Sequence, residues 1–519
     1  MSSRVRLSII AAATAAAWLA GSAPPGPVVA AEGHRVTSAA WRQPATAVSG
    51  GVVSFDVQVA GGREEVFRVR VTGGVVDSIP DGCAPSSVIR ARSRIEADGA
   101  TLVCVLDSRR AADLRVDVRT GAAPGPLAAR VEEGGDTREL AALSVASGRA
   151  DSPRTLRLLS SPDFLNADVA DLRRGPGSWR PGRSRNGTSA AYERAIGTVL
   201  DDWTAQAPDA VLVAGDLVNG RWDKDDQRTG TFGSVRTGRQ RARAVHRAAA
   251  TYYPQYLDRF RERGLALYPA IGDHEYGDNP WPGAKRRLAP VFAREFARHF
   301  TRGPGGRPRF ADHPGGRHAG TAYAWRPAPD VQVVSIDAFD ITAGHSRIRL
   351  DAAQRRWLVG VLRRARADGV RWTVVQGHVP VLEPVRARGS SELHYPGGAR
   401  SGLWRIFERY AVDLYLCGEV HDVTASEHGG VVQLAHGGAF QYGLTTYALL
   451  DVHEDRIEVT LRDYDVRVRT AGRRLWETAR AGLPASVRVA PEPFTIGTLT
   501  LDGAGEVTRR SGILLPYRP

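Results

Sequence analysis

The feature that most restricts what this chain can become is a series of five short apolar runs, each stopping at a cluster of metal-capable side chains, mostly with glycine alongside. In chain order the clusters are Ser161-Pro162-Asp163-Phe164-Leu165-Asn166, Gly215-Asp216-Leu217-Val218-Asn219, Gly272-Asp273-His274-Glu275, Gly377-His378 and Gly418-Glu419-Val420-His421. Ligand-type side chains at the carboxyl ends of parallel strands converge on one crevice. A glycine beside a ligand lets the backbone turn sharply and approach a metal or phosphate closely. Taken alone, each cluster reads as an ordinary loop; the information lies in the ordered set.

The segments around these clusters alternate strand and helix. Strands are expected at 156–161, 210–214, 266–271, 331–336, 372–375 and 414–417, and helices at 190–207, 241–263, 352–367 and 401–410. Such alternation implies an α/β domain whose sheets are covered by helices, assigned here to 155–455. The preceding region, 34–150, reads differently. Its runs Val52–Val59, Val66–Val71, Thr101–Leu106 and Leu114–Val118 are short, β-branched and bounded by Gly, Asp or Pro, the pattern of a small β-sandwich acting as an accessory module. Residues 456–519 form a strand-rich C-terminal extension that completes a sheet or caps the domain.

The N-terminus has the order of a secretory signal. Arg4 and Arg6 precede an apolar stretch from Leu7 to Ala20, and Val29-Ala30-Ala31 offers small residues for cleavage. A signal over 1–31 makes the expected location secreted or cell-envelope. No later stretch is apolar enough for a membrane helix. Cys83 and Cys104 lie in the expected β module and can pair in an oxidising compartment, whereas Cys417 sits inside an apolar strand and reads as a buried free thiol. The net charge of +14 is carried almost wholly by arginine, Lys224 and Lys285 being the only lysines. A positive field attracts anionic substrates, but an arginine-rich coding bias explains it equally well. There is no nucleic-acid-binding motif.

With its ordered clusters, the segment from about Thr155 to Asp455 resembles the calcineurin-like metallophosphoesterases, a superfamily that includes the purple acid phosphatases. The resemblance implies two facing β-sheets flanked by helices, with two divalent metals at the strand ends and a phosphate ester as substrate. Carried over residue by residue, it makes Asp163 and His421 ligands of the first metal, Asp216 the bridge, and Asp273, His378 and Glu419 ligands of the second. His274 becomes the catalytic histidine at the scissile phosphate, with Asn219 and Glu275 as catalytic partners that orient it and its turn. Three positions depart from the family pattern: Leu165 stands where a metal-binding His is expected, Asp273 replaces an Asn, and Glu419 replaces a His. The resulting site is richer in anionic oxygen and poorer in nitrogen, which favours Mn over Fe or Zn.

Other residues carry less signal. Arg221 can grip a phosphate bidentately, although its Gly- and Arg-rich surroundings also suit a solvated loop. His394 is a candidate to line the cleft, whereas His428 and His436 read as structural. Tyr252, Tyr253 and Tyr256 fit a helix packing face. The expectation is therefore an exported phosphoesterase. The rival readings are a degenerate phosphoesterase fold that binds anionic envelope polymers and an adhesion role centred on the N-terminal module.

Overall fold

The structure is a computed structural model that describes residues 36–42, 47–60, 66–83, 93–106, 111–148, 152–163, 190–218, 220–224, 232–438, 444–469 and 486–517. The expected signal segment 1–31 and the residues Leu165, Asn166 and Asn219 lie outside the described residues.

The chain has a mixed α/β fold preceded by an all-β region. In that region one sheet runs in the order Val36–Trp41, Val52–Val59, Ala112–Thr120, Gly74–Val76, and the other in the order Ala47–Val48, Leu143–Ala146, Gly125–Glu133, Val66–Thr72, Thr101–Val105, Arg94–Ile95. Val66–Thr72 alternates exposed and buried residues without exception, as a strand with one wet face must. Cys83 and Cys104 form a disulfide, and Cys417 is free and buried.

The α/β region is built on two further sheets. The first has the order Leu267–Pro269, Ala210–Val213, Arg154–Ser160, Thr446–His453, Arg456–Asp463, Phe494–Asp502, Val507–Arg510. Its first three strands are parallel, and the remainder add on antiparallel. The second sheet has the order Tyr323–Ala328, Val331–Ser335, Trp372–Gln376, Leu414–Cys417, Val431–Ala435, Thr424–His428, with four parallel strands at its centre. Leu158, Ala210 and Leu212 share one buried cluster with Val333, Val374 and Leu416 from the other sheet, whereas Leu159, Val211 and Val213 pack with Trp203, Tyr252 and Tyr256 from the helices. Because strand side chains alternate in direction, strands buried on both faces face the other sheet with one set and the helices with the other. The three tyrosines pack as the helix face expected of them.

Hydrogen bonds near the strand ends cross between the sheets: Tyr323 Oη donates to the Pro269 carbonyl at 2.8 Å, Gln376 Nε2 to that of Tyr268 at 3.0 Å, and Trp372 Nε1 to that of His453 at 3.0 Å. They bring the ends of strands from both sheets to a common level. The C-terminal strands complete the first sheet and also clasp the all-β region. There Asp77 Oδ2 accepts from Thr498 Oγ1 at 2.7 Å and Ser511 Oγ at 3.0 Å, all three residues being buried.

His436 follows the strand Val431–Ala435 and is fully buried, with Nε2 3.0 Å from Ser160 Oγ. Burial depresses its pKa to about 3. A histidine depressed in the folded state stabilises fully above its unfolded pKa of about 6.5 and loses that contribution as pH falls, since only the unfolded chain takes up the proton. Between pH 7 and pH 5 this residue is expected to cost about 2 kcal/mol of stability. Urea unfolding of metal-free protein at the two pH values checks this: His436→Asn should show a correspondingly smaller acid loss than the parent.

Candidate metal centre

Both sheets feed one crevice. From the first sheet, the strand Arg154–Ser160 leads to Asp163, Ala210–Val213 to Asp216, and Leu267–Pro269 to Asp273. From the second, Trp372–Gln376 leads to His378, and Leu414–Cys417 to Glu419 and His421. All six side chains are buried. Four of them occupy left-handed backbone, with φ of 50° at Asp163, 57° at Asp216, 69° at Glu419 and 52° at His421. Non-glycine residues seldom adopt this region, at a cost on the order of 1–3 kcal/mol each, and such strain gathers where the surroundings force it, typically at functional sites. The glycines serve the ligands of neighbouring strands. A Cβ on Gly272 would lie 2.2 Å from Asp216 Oδ1, and one on Gly418 would lie 2.5 Å from Asp163 Oδ2.

His378 is at the centre. Its Nδ1 lies 2.9 Å from the Ala214 carbonyl, which only accepts, so Nδ1 carries the proton and Nε2 is left as a bare donor of electrons in the neutral ring. Around that nitrogen stand Asp273 Oδ1 at 3.1 Å, Asp216 Oδ2 at 3.4 Å and Glu419 Oε2 at 3.4 Å. An electron pair facing three carboxylates is repulsive unless a cation lies among them. The protein's electrostatics say the same: burial works to lower the His378 pKa, but the carboxylates hold it well above the usual imidazole range. Burial also raises Asp163 and Glu419, with neighbouring acids adding to both. Asp273 is lowered: burial would raise it, but His274, His378 and Asn279 outweigh that. His421 is pushed down to about 4, first by burial and then by His274 and His378, so its ring is neutral at pH 7. Its Nε2 lies 3.6 Å from Asp163 Oδ1.

Three donor sets have atoms within 4.8 Å of one another: Asp163, Asp216 and His378; Asp216, Asp273 and His274; and Asp273, His378 and Glu419. Asp163 Oδ2 is buried without a hydrogen-bond partner among the described residues. Buried carboxylates, an imidazole nitrogen facing three of them and an unsatisfied oxygen are the donor chemistry of divalent cation sites, so the residues present fit metal ions.

Glu275 locks this arrangement from behind. Its carboxylate accepts the backbone N–H groups of Gly272 at 2.7 Å, Asp216 at 2.9 Å and Val218 at 3.1 Å, tying the second and third clusters together. Burial, with Asp216 adding, lifts its pKa to about 7. His274 accompanies the cluster: its backbone N–H donates to Asp216 Oδ1 at 3.0 Å, and its Nε2 lies 3.7 Å from Asp216 Oδ2 and 3.9 Å from Asp278 Oδ1. Arg221 joins the same edge through Nε, 2.6 Å from Asp278 Oδ2, with its side chain partly exposed. His394 is exposed, and its Nδ1 is 3.3 Å from the Glu392 carbonyl. Its loop reaches the cluster through Ser391 Oγ and the Leu393 N–H, which donate to Glu419 Oε1 at 2.7 and 3.1 Å.

Sequence reasoning overlooked Asn279, Ser391 and Asp278. Asn279 Nδ2 donates to Asp273 Oδ2 at 2.8 Å and to Ser391 Oγ at 2.7 Å, bridging the Asp273 and Glu419 carboxylates. Gly277-Asp278-Asn279-Pro280 has the composition of a turn, and only its nearness to His274 in sequence hinted at more.

Residues 170–423 match the family model described as calcineurin-like phosphoesterase. The match begins after Asp163 and spans the other four clusters. No curated protein sequence matches the chain. Among solved structures, one of PhoD is 12% identical, covering 92% of this chain and 93% of that one, at a TM-score of 0.41. GAP50, the anchor in the inner membrane complex of Plasmodium, is 11% identical over 60% of this chain and 85% of its own, at 0.35. Wild-type Vps29 complexed with zinc from Entamoeba histolytica is 11% identical over 66% and 99%, at 0.24. Likenesses this distant say nothing of substrate.

The close approach at Gly272 has a measurable consequence. Its φ is not left-handed, so alanine there tests space alone. Gly272→Ala should displace Asp216 and weaken metal binding by about 10- to 100-fold, the range for disturbing the support of a ligand, as measured by calorimetric titration of the metal-free protein.

Proposed function

We propose that this chain, whose residues 170–423 match the calcineurin-like phosphoesterase model, is an exported metal-dependent phosphoric ester hydrolase that cleaves phosphate mono- or diesters at a two-metal site in the buried carboxylate crevice. The observation that carries this reading is the convergence of Asp163, Asp216, Asp273 and Glu419 around the histidines of two sheets. Asp163 and His421 would hold one ion and Asp273, His378 and Glu419 the other, with Asp216 between them. Two divalent ions so held would supply Lewis acidity toward phosphoryl oxygens and lower the pKa of a water.

The remaining work belongs to the chain's own side chains. His274 lies at the edge of the cluster, with Asp216 and Asp278 on either side of its Nε2, and from there it would deliver a proton to the leaving oxygen. Arg221, tied by Nε to Asp278, would turn its terminal N–H groups toward non-bridging phosphate oxygens. Glu275 holds the turn that carries His274 against the loop that carries Asp216. Cleavage of the leader near Ala31 would place the protein outside the cytosol, in keeping with the Cys83–Cys104 disulfide.

His274→Ala should lower turnover of an aryl phosphate by about 10²–10⁴-fold, the range for a lost general acid, with metal content unchanged by elemental analysis. Loss of metal along with activity would instead make His274 a ligand. The second test is reconstitution of metal-free protein. The oxygen-rich donor set should be reactivated better by Mn²⁺ than by Zn²⁺, ligand hardness outweighing the general affinity order. Leu165→His, which adds the imidazole of the family pattern, should tighten binding of the first ion. A protein that only bound anionic polymers would turn over neither mono- nor diester with any ion.

A further inference from the structure

Of the 70 lysine and arginine residues in this chain, only Lys224 and Lys285 are lysines. Both act on the same buried carboxylate: the ammonium groups of Lys285 and Lys224 lower the pKa of Asp223, against a larger rise from burial. In a chain so biased toward arginine, a position that keeps lysine calls for a physical reason. At Lys285 the reason is space. The residue is 3% exposed and sits in the short helix Gly283–Arg286 beside the catalytic crevice. A compact ammonium on a slender stem fits there, and a planar guanidinium with five donors does not.

Lys285 Nζ donates to the backbone carbonyl of Asp278. The Asp278 side chain faces the crevice, with Oδ2 2.6 Å from Arg221 Nε and Oδ1 3.9 Å from His274 Nε2. Asp278 holds left-handed backbone, φ 70°, a conformation that non-glycine residues keep only when neighbouring contacts enforce it. Its own N–H is bound to the Asp273 carbonyl at 2.8 Å, so the residue is clamped on both sides: Asp273 from the metal crevice and Lys285 from the interior. Burial draws the Lys285 pKa down to about 8, Lys224 adding to the shift while Asp223 and Asp278 oppose it.

We propose that Lys285 is a positioning residue: its buried ammonium, bound to the Asp278 carbonyl, fixes Asp278 where that carboxylate orients both His274 and Arg221. The assignment rests on the phosphoesterase reading for its kinetic consequence and on geometry alone for its structural one. Lys285 touches neither substrate nor metal ligand and acts only through Asp278. An arginine cannot replace it, which accounts for a lysine surviving at this position.

The experiment has a kinetic arm and a spectroscopic arm. With an aryl phosphate as substrate, Lys285→Met and Lys285→Arg should each lower kcat/KM by about 10- to 100-fold, with metal content unchanged. Asp278→Asn leaves the buried lysine in place and should have a similar effect. In the Asp278→Asn background, Lys285→Met should cost little more, because both changes break one chain of contacts. Independent additive losses, or full activity in Lys285→Arg, would overturn the proposal. The second arm reads ring nitrogen shifts of ¹⁵N-histidine-labelled protein, the His274 signal being assigned by its loss in His274→Ala. Lys285→Met should move the His274 signal and leave that of distant His428 in place; an unmoved His274 signal would overturn the proposal. This arm decides the question even if the unaltered protein hydrolyses no ester, a result that would count against the phosphoesterase reading alone.

Discussion

Four carboxylates buried in one crevice repel one another, and the arrangement of the catalytic region follows from the need to hold them there. Two unit charges about 4 Å apart interact by roughly 4 kcal/mol at an effective dielectric of about 20, and within each of the three donor sets here the atoms lie within 4.8 Å of each other. The histidines offset part of that repulsion; His378 carries a strongly elevated pKa because it stands among three of the acids. A crevice of this composition is therefore one that the fold must force together and that cations would relieve. Left-handed backbone at Asp163, Asp216, Glu419 and His421 is the local sign of that forcing.

The scaffold supplies the force in layers. The apolar residues between the two sheets fix their separation, and the hydrogen bonds from Tyr323, Gln376 and Trp372 fix how their strand ends line up. Glu275 then gathers three backbone N–H groups from two loops, so that a single buried carboxylate sets the spacing of Asp216 and Asp273. Asn279 and Ser391 do the same between Asp273 and Glu419. Each support acts on a side chain already placed by a strand end, so contacts between residues far apart in sequence make the cluster rigid.

Much of this was legible in the order of residues. The strands ending in glycine-flanked acids and histidines announced an α/β sheet with a crevice at its carboxyl edge, and strands were found at 210–213, 331–335 and 414–417 within a residue of expectation. The helix at 352–367 begins and ends where its pattern indicates, because Asp351 caps it with a 2.8 Å bond to the Gln354 N–H. The helix Gly238–Arg261 starts three residues earlier than its apolar period suggested, since Thr237 and Gln240 form a capping box ahead of the first buried turn. Asn279 and Ser391 escaped notice for a different reason. Each sits in a stretch with turn composition, and their pairing spans 112 positions.

The sequence by itself determined which metal-capable side chains end the strands, their chain order and the strand-to-helix alternation, because these follow from periodicity and from side-chain chemistry that no folding partner alters. Tertiary structure decided which of those residues meet. It brought Gly272 against Asp216 and Gly418 against Asp163, so the glycines make room for ligands of other strands as well as for their own turns. It fixed the His378 tautomer through the Ala214 carbonyl and buried Lys285 behind Asp278. The physical reason is the same in each case. Approach distances and desolvation depend on which strand ends the packed sheets bring level, and that is a property of the whole fold rather than of any segment.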